Sequence, residues 1–356
     1  MKGLLEYLPH SIIVIFTLLI TVQNKTLKTE GESCECKFEP CICKYFGDCE
    51  VLYQRADIDY CDRKHGIVCC PQEPDIPIIT PAKLASEFAC QKYADMIPNN
   101  CTKKFITGGE FAKAKEFPPA ALIGFLNSRT KEQTWFCGGT LISERFVLTA
   151  SHCAKAKALN RVRLGDLDFS SNKDDEGVQE FSVSRLISHP EYDTSDYNDI
   201  MLLELNGTVT FTDYVQPACI LTPSRTVYNK GEFWAVGWGA VANSTDMSSR
   251  LRRVQLTEFV NCGPIVSTAY SLIRGLKDRT QFCAHGAIKD TCKGDSGGPL
   301  LITFPSQEEK YKCLYMVAGI ISKGQIDCGK QDSPSLNTNV TAFVRFIELH
   351  VWPSKK

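Results

Sequence analysis

A serine set among glycines can bring its hydroxyl against a carbonyl carbon, but it needs a base to take its proton. Thr291-Cys292-Lys293-Gly294-Asp295-Ser296-Gly297-Gly298-Pro299 supplies such a serine. Upstream, Thr149-Ala150-Ser151-His152-Cys153 offers an imidazole, and Asn198-Asp199-Ile200-Met201-Leu202-Leu203 a carboxylate at the head of an apolar run. Together they suit acyl transfer, with Ser296 as nucleophile and His152 as general base and then acid. Asp199 would fix the imidazole tautomer and stabilise its cation. The backbone N–H groups of Gly294 and Ser296 would face the oxyanion, each donor being worth ~3–4 kcal/mol. A GxSxG-like stretch alone would say much less.

The elements around these residues read as strands. Phe146-Val147-Leu148 is a strand signal that would deliver His152 to a strand end. Thr341 to Trp352 has the apolar spacing of a closing helix with a structural role. His189, ahead of Pro190, matches no catalytic role and reads as a surface histidine.

The 356 residues leave room for a large β domain and a small one. A net charge of −1 suggests no nucleic-acid or polybasic membrane function. The 18 cysteines are at home as disulfides in an oxidising compartment. Ser11 to Ile20 is a short apolar stretch followed by Thr21, Gln23, Asn24 and Lys25. It reads as the h-region of a signal peptide over residues 1–23, giving a secreted, extracellular protein free of the membrane once the signal is removed. A signal anchor is the alternative. Sequons stand at Asn24, Asn100, Asn206, Asn243 and Asn339, the last four being candidate glycosylation sites.

Residues 34–70 hold eight cysteines in a span too small for an apolar core, so this piece needs covalent staples. Counting cysteines fixes no connectivity. His65 is its one histidine, which weighs against zinc. Pro71 to Pro81 reads as an extended linker, with a short helical patch from Lys83 to Tyr93. Residues 71–105 are read as a connecting segment, and residues 106–356 as the domain that carries the three motifs.

The three chemical motifs resemble the chymotrypsin/trypsin family of serine endopeptidases, over about residues 106 to 353. Residues 34–70 resemble the clip domain of arthropod clip-domain serine proteases. The resemblance implies an all-β fold: two six-stranded antiparallel β-barrels with the active site in the cleft between them, a C-terminal helix and a small disulfide-rich N-terminal clip domain. It implies Cys34–Cys69, Cys43–Cys61 and Cys49–Cys70, with Cys36 and Cys41 extra and able to pair with each other. In the protease it implies Cys137–Cys153, Cys262–Cys283 and Cys292–Cys328. Cys90, Cys101, Cys219 and Cys313 remain for two bridges that hold the light chain to the protease, with Cys90–Cys219 and Cys101–Cys313 the first choice.

Ile106-Thr107-Gly108-Gly109 resembles the start of mature proteases of this family. A cut there would release an ammonium able to pair with Asp295, a buried ion pair that needs both partners. Its formation would order the oxyanion loop, so the uncut chain is expected to be an inactive zymogen. Phe105 stands where most such zymogens have Arg, and a cut after Lys104 would leave one residue too many. Cutting is therefore expected at Phe105–Ile106 by a protease that accepts a bulky apolar residue, as in the snake/persephone-like branch. Opportunistic trimming and tryptic cutting at Lys103-Lys104 are the alternatives.

For specificity, the family pattern puts Asp290, six residues before Ser296, at the base of a primary pocket that takes Arg or Lys. Gly324 matches one wall glycine, and Ser322 the serine that hydrogen-bonds the triad aspartate. Ser335 stands where a second wall glycine is usual and is expected to shorten the pocket. Lys323 replaces a tryptophan, its charge expected to penalise basic substrates, and Asn337 replaces an aromatic residue. Asp166 and Glu176 lie on an acidic loop where some relatives bind calcium, although Gln179 falls where another acid is expected; a solvated loop is the alternative. No cofactor is required for the chemistry.

The expected activity is limited proteolysis of a downstream zymogen or pro-ligand in an extracellular immune or developmental cascade, of prophenoloxidase or Toll type. The expected partners are that protein substrate, an upstream activating protease and a serpin inhibitor. A broad digestive protease and a catalytically silent scaffold are the rival readings. The clip module itself is read either as a docking or autoregulatory element or as a passive spacer.

Overall fold

A computed structural model describes residues 33–35, 40–45, 60–62, 67–71, 84–97, 110–324 and 334–353, with short breaks at 157, 174, 193–195, 229–230, 241–245, 271, 273, 278, 287–290 and 306–307. The chain divides into two compact units at Pro81/Ala82.

In the first unit β1 (Ser33–Glu35), β2 (Pro40–Tyr45), β3 (Tyr60–Asp62) and β4 (Ile67–Pro71) form one sheet in the order β1-β2-β4-β3. Register sets Cys34 opposite Cys41 and Cys43 opposite Cys69. Cys43 is buried and disulfide-bonded. Each pairing expected in this unit involves at least one side chain outside the described residues.

The second unit begins with helix α1 (Ala85–Met96). Ser86, Ala89, Cys90, Tyr93 and Ala94 recur at three- and four-residue spacing and form its buried face. That face lies in the hydrophobic cluster of the barrel-side residues Leu256, Leu300 and Met316. Cys90 is bonded to Cys219, the Tyr93 hydroxyl donates to the Ile142 carbonyl at 3.1 Å, and the Ser86 N–H and hydroxyl both donate to Glu348 at 2.8 and 2.6 Å. The second half of the segment read as a linker is thus part of the protease body. The sequence pointed to the helix and to the Cys90–Cys219 bridge, but not to the hydrogen bonds and apolar packing around it.

After β5 (Glu110–Phe111), the first barrel closes from β6 (Ala120–Leu126), β7 (Gln133–Leu141), β8 (Phe146–Thr149), β9 (Arg161–Leu164), β10 (Gln179–Ser188) and β11 (Met201–Leu205), in the order β10-β11-β8-β7-β6-β9. Helix α2 (His152–Ala156) leaves the end of β8. All four side chains of β8 are buried, which explains a continuous apolar run rather than an alternating one.

The second barrel uses β13 (Glu232–Gly237), β14 (Arg252–Glu258), β15 (Gln281–His285), β16 (Pro299–Thr303), β17 (Tyr315–Lys323) and β18 (Ser335–Asn339). Their order is β17-β16-β13-β14-β15-β18, and β18 pairs back onto β17. Strand β12 (Cys219–Ile220) adds in parallel to β17, and β5 adds to β14. Helix α3 (Gly263–Ala269) precedes β15, and α4 (Val344–Val351) ends the chain on the core through Val344, Phe346 and Ile347. Closing both sheets leaves few open edges for foreign strands. His189 is half-buried against Phe343 and Phe346 at 5.3 and 5.1 Å, a packing residue rather than a free surface one. Among the described residues no helix is long and apolar enough to cross a membrane.

Candidate active site

Strand β8 ends at Thr149, and the next turn lifts His152 to the rim of the first barrel. Asp199 stands just before β11, which pairs with β8, so barrel register alone brings the two together. The His152 Nδ1 lies 2.7 Å from one oxygen of Asp199, and the His152 backbone N–H donates to the other at 2.9 Å. The Ser322 hydroxyl, from β17 of the other barrel, donates to Asp199 at 2.6 Å, and the Thr338 hydroxyl donates to the Asp199 carbonyl at 2.9 Å. Burial opposes the charge of Asp199, but the donors from His152 and Ser322 outweigh it and hold the carboxyl below its ordinary value. An acceptor this well supplied fixes Nδ1 as a donor and leaves Nε2 to accept a proton.

The Ser296 loop is stitched to both barrels. Its carbonyl accepts from the Gly138 N–H of β7 at 2.8 Å, and the Gly297 N–H donates to the Ile321 carbonyl of β17 at 2.7 Å. Gly297 has φ +77°, and a side chain there would run into Thr149 and Gly138, so only glycine fits. Gly294 has φ +102°. Among the described residues no acceptor engages the N–H of Gly294 or of Ser296, which leaves both for a ligand oxygen.

Asp295 turns inward. Its carboxylate accepts from the N–H groups of Gly239 and Cys292 at 2.8 and 3.0 Å. A side chain at Gly237 or Gly239 would collide with it. Burial pushes this carboxyl up to about 6, against the pull of those two amides and of Arg252. Its expected partner Ile106, the adjoining Phe105 and the pocket acid Asp290 lie outside the described residues, as do Cys101, Cys328, Asn24, Asn100, Asn243 and residues 1–23.

Two residues expected to shape the cleft are already partnered. Ser335 is fully buried, and its hydroxyl donates to the Ala284 carbonyl across the β15–β18 pair at 2.9 Å while accepting from the Asn337 amide at 3.1 Å. A strand hydroxyl beside a backbone acceptor satisfies itself locally. Lys323 does not present a loose positive charge: its ammonium pairs with Asp196 at 3.2 Å. Gly324 is partly exposed, and its carbonyl accepts from the Tyr270 hydroxyl at 2.8 Å.

Sequence reasoning missed the residues that brace Asp199. Tyr197 is buried among Cys262, Val266, Leu272, Cys283 and Leu336 of the second barrel. The Gln281 amide donates to the Asp196 carbonyl at 3.1 Å. Neither residue has a distinctive spacing, although both Asp196 and Asn198 take positive φ, as short polar residues can.

Cys137–Cys153 and Cys262–Cys283 are bridged, and Cys292 and Cys313 are disulfide-bonded. The sulfurs of Cys137 and Cys153 near His152 are therefore no metal ligands. The acidic loop does not suit calcium: Asp166 accepts from Arg163, Glu176 from the Tyr214 hydroxyl at 3.1 Å, and Gln179 is tied to Thr210. A guanidinium on the first candidate ligand opposes a dication. Asn206 is exposed, whereas Asn339 is half-buried and accepts from Thr341 at the start of the helical turn ahead of α4.

The family described as Trypsin matches residues 106–347. Among curated relatives, Phenoloxidase-activating factor 1 of Holotrichia diomphalia is 30% identical, over 81% of this chain and 81% of its own. CLIP domain-containing serine protease B4 of Anopheles gambiae is 32% identical over 69% of this chain and 70% of its own. Spaetzle-processing enzyme of Drosophila melanogaster is 29% identical over 81% and 78%. The double barrel agrees with that match, and the chain is a serine endopeptidase that belongs to the trypsin family, among the clip-domain serine proteases of arthropods.

Proposed function

We propose that Ser296, His152 and Asp199 carry the hydrolysis. Ser296 attacks the scissile carbonyl as His152 Nε2 takes its proton, and the imidazolium then protonates the leaving amine. Asp199 stabilises that cation, and the N–H groups of Gly294 and Ser296 receive the oxyanion. The observation that carries this reading is the Asp199 carboxylate, held by donors from both barrels and aimed at His152 Nδ1. The chemistry needs no cofactor.

The chain acts as a secreted zymogen. A cut at Phe105–Ile106 frees the amine that pairs with Asp295, whose carboxylate waits with two amide donors and no formal counter-charge within hydrogen-bonding distance among the described residues. The active form cleaves after Arg or Lys, through Asp290, in a downstream protein of an extracellular cascade. The names of the relatives support a phenoloxidase-activating or Spaetzle-processing type of role. An upstream protease activates the chain and a serpin stops it.

The test is alkylphosphonate labelling before and after cutting at Phe105–Ile106. Label on Ser296 in the cut form only, with turnover of an arginine ester, is the expected result. A cut form that takes no label leaves the silent scaffold as the better reading.

A further inference from the structure

Gly294 has no side chain to limit its backbone. Glycine takes both signs of φ at little cost, so the peptide between Lys293 and Gly294 can turn unless something outside it prevents this. Two contacts from the segment between β13 and β14 do so. The Ala240 N–H donates to the Lys293 carbonyl at 2.8 Å. In a trans peptide the carbonyl and the following N–H point in opposite directions, so this bond aims the Gly294 N–H away from Ala240. Ala240 also forms an antiparallel bridge with Met247. A carbon built on Gly294 as a side chain would lie 2.9 Å from Met247 Cγ and 3.4 Å from Met247 Cε. The sulfur joins those two carbons, so the thioether itself covers the glycine.

We propose that Met247 is a site of reversible oxidation, and that its oxidation disarms the oxyanion hole. The proposal rests on the reading of Gly294 as an oxyanion donor, and it makes Met247 a positioning residue that acts through that glycine. Met247 is only partly buried, at the margin of the core. Among the other described methionines, Met201 and Met316 are fully buried and Met96, at the end of α1, is exposed. Oxidation follows access, so a peroxide reaches Met247 and Met96 and spares the two core residues.

In that step a sulfur lone pair attacks one oxygen of hydrogen peroxide. The S–O bond forms as the O–O bond breaks, and the departing hydroxide collects the proton left on the new oxygen and leaves as water. The sulfur is oxidised by two electrons and the peroxide reduced by two. The product is a polar sulfoxide, which does not stay on an apolar seat against Gly294 when water is within reach. Once it turns outward the glycine loses its cover. The Lys293–Gly294 peptide is then held by the Ala240 bond alone, and its N–H is no longer fixed where the oxyanion forms. Reduction of the sulfoxide restores the thioether and its seat.

The experiment uses full-length protein cut at Phe105–Ile106, with active sites counted by phosphonate labelling of a portion. Absence of label would be a failure of the proposed function and is seen before any oxidation. The rest is treated with hydrogen peroxide, and arginine-ester kinetics are followed beside mass spectrometry of the digested protein. The expected result is one added oxygen on Met247 and a kcat lower by about tenfold or more, with KM within about threefold, the split of a weakened oxyanion donor. Methionine sulfoxide reductase should restore kcat. Met96→Leu should lose activity as the wild type does. Met247→Leu, compared with its own untreated form, should keep at least about half its kcat, because leucine fills a similar volume without a sulfur to oxidise. Oxidised Met247 with unchanged kcat, peroxide that marks Met96 but not Met247, or an equal loss in Met247→Leu overturns the proposal.

Discussion

The Ser322 hydroxyl donates to the Asp199 carboxylate at 2.6 Å, and the two residues come from different barrels. The carboxylate that orients His152 is thus held by the partner barrel as well as by its own. Geometry at the cleft depends on how the barrels dock, as much as on either one.

Ser322→Ala removes one donor to a buried carboxylate. A hydrogen bond to a charged group is worth about 1.5–3 kcal/mol, so kcat should fall by roughly tenfold to a hundredfold. KM for an arginine ester should change little, since Ser322 reaches the substrate only through Asp199 and His152. Steady-state kinetics on titrated enzyme decides it, and an unchanged kcat would show that the bond is idle.

Asp295→Asn should act in opposite directions on the two forms. The ordinary carboxyl value is 3.8, and in the folded chain it is about 6. A raised acid costs the fold stability as pH climbs from 3.8 through 6, and the full loss is present above that. In the uncut chain the variant should therefore raise Tm at pH 7.5 and leave it nearly unchanged at pH 4. The cut variant should be inactive. Thermal scans at the two pH values, with ester turnover, test both halves.

Activity of the cut wild type should fade at alkaline pH as the Ile106 amine loses its proton. A free α-amine titrates near ~8, and pairing with Asp295 moves that value upward. A profile that stays flat well above pH 10 would falsify the ion pair.

Tyr93→Ala should destabilise the protease body by about 3–5 kcal/mol, as expected for an aromatic removed from a core. The ring of Tyr93 meets Phe211 edge-on at 5.6 Å, and its hydroxyl is bonded. For the same reason the N-terminal piece of the cut wild type should coelute with the protease after disulfide reduction under native conditions. Release on reduction would show that α1 is held by its sulfurs alone.

The motifs around His152, Asp199 and Ser296 were legible because each is local: a strand end, a carboxylate before an apolar run, and a glycine-bounded loop. Ser322 was legible through family pattern. The Cys90–Cys219 bridge that ties α1 to the protease was legible through the family pattern, whereas its hydrogen bonds to Ile142 and Glu348 were not, since those partners lie far along the chain. The charge of Lys323 was read correctly but its partner was not, because Asp196 carries no spacing signal of its own. The partner of Ser335 was hidden for a related reason: sequence gives the hydroxyl, and only register gives the carbonyl of Ala284 opposite.

Tyr197, two residues before Asp199, is seated wholly in the neighbouring barrel. Prising the halves apart by a small amount would drag that ring from its socket and carry the carboxylate off the imidazole with it. Such an enzyme can be silenced by a wedge at its seam, with the reactive serine untouched.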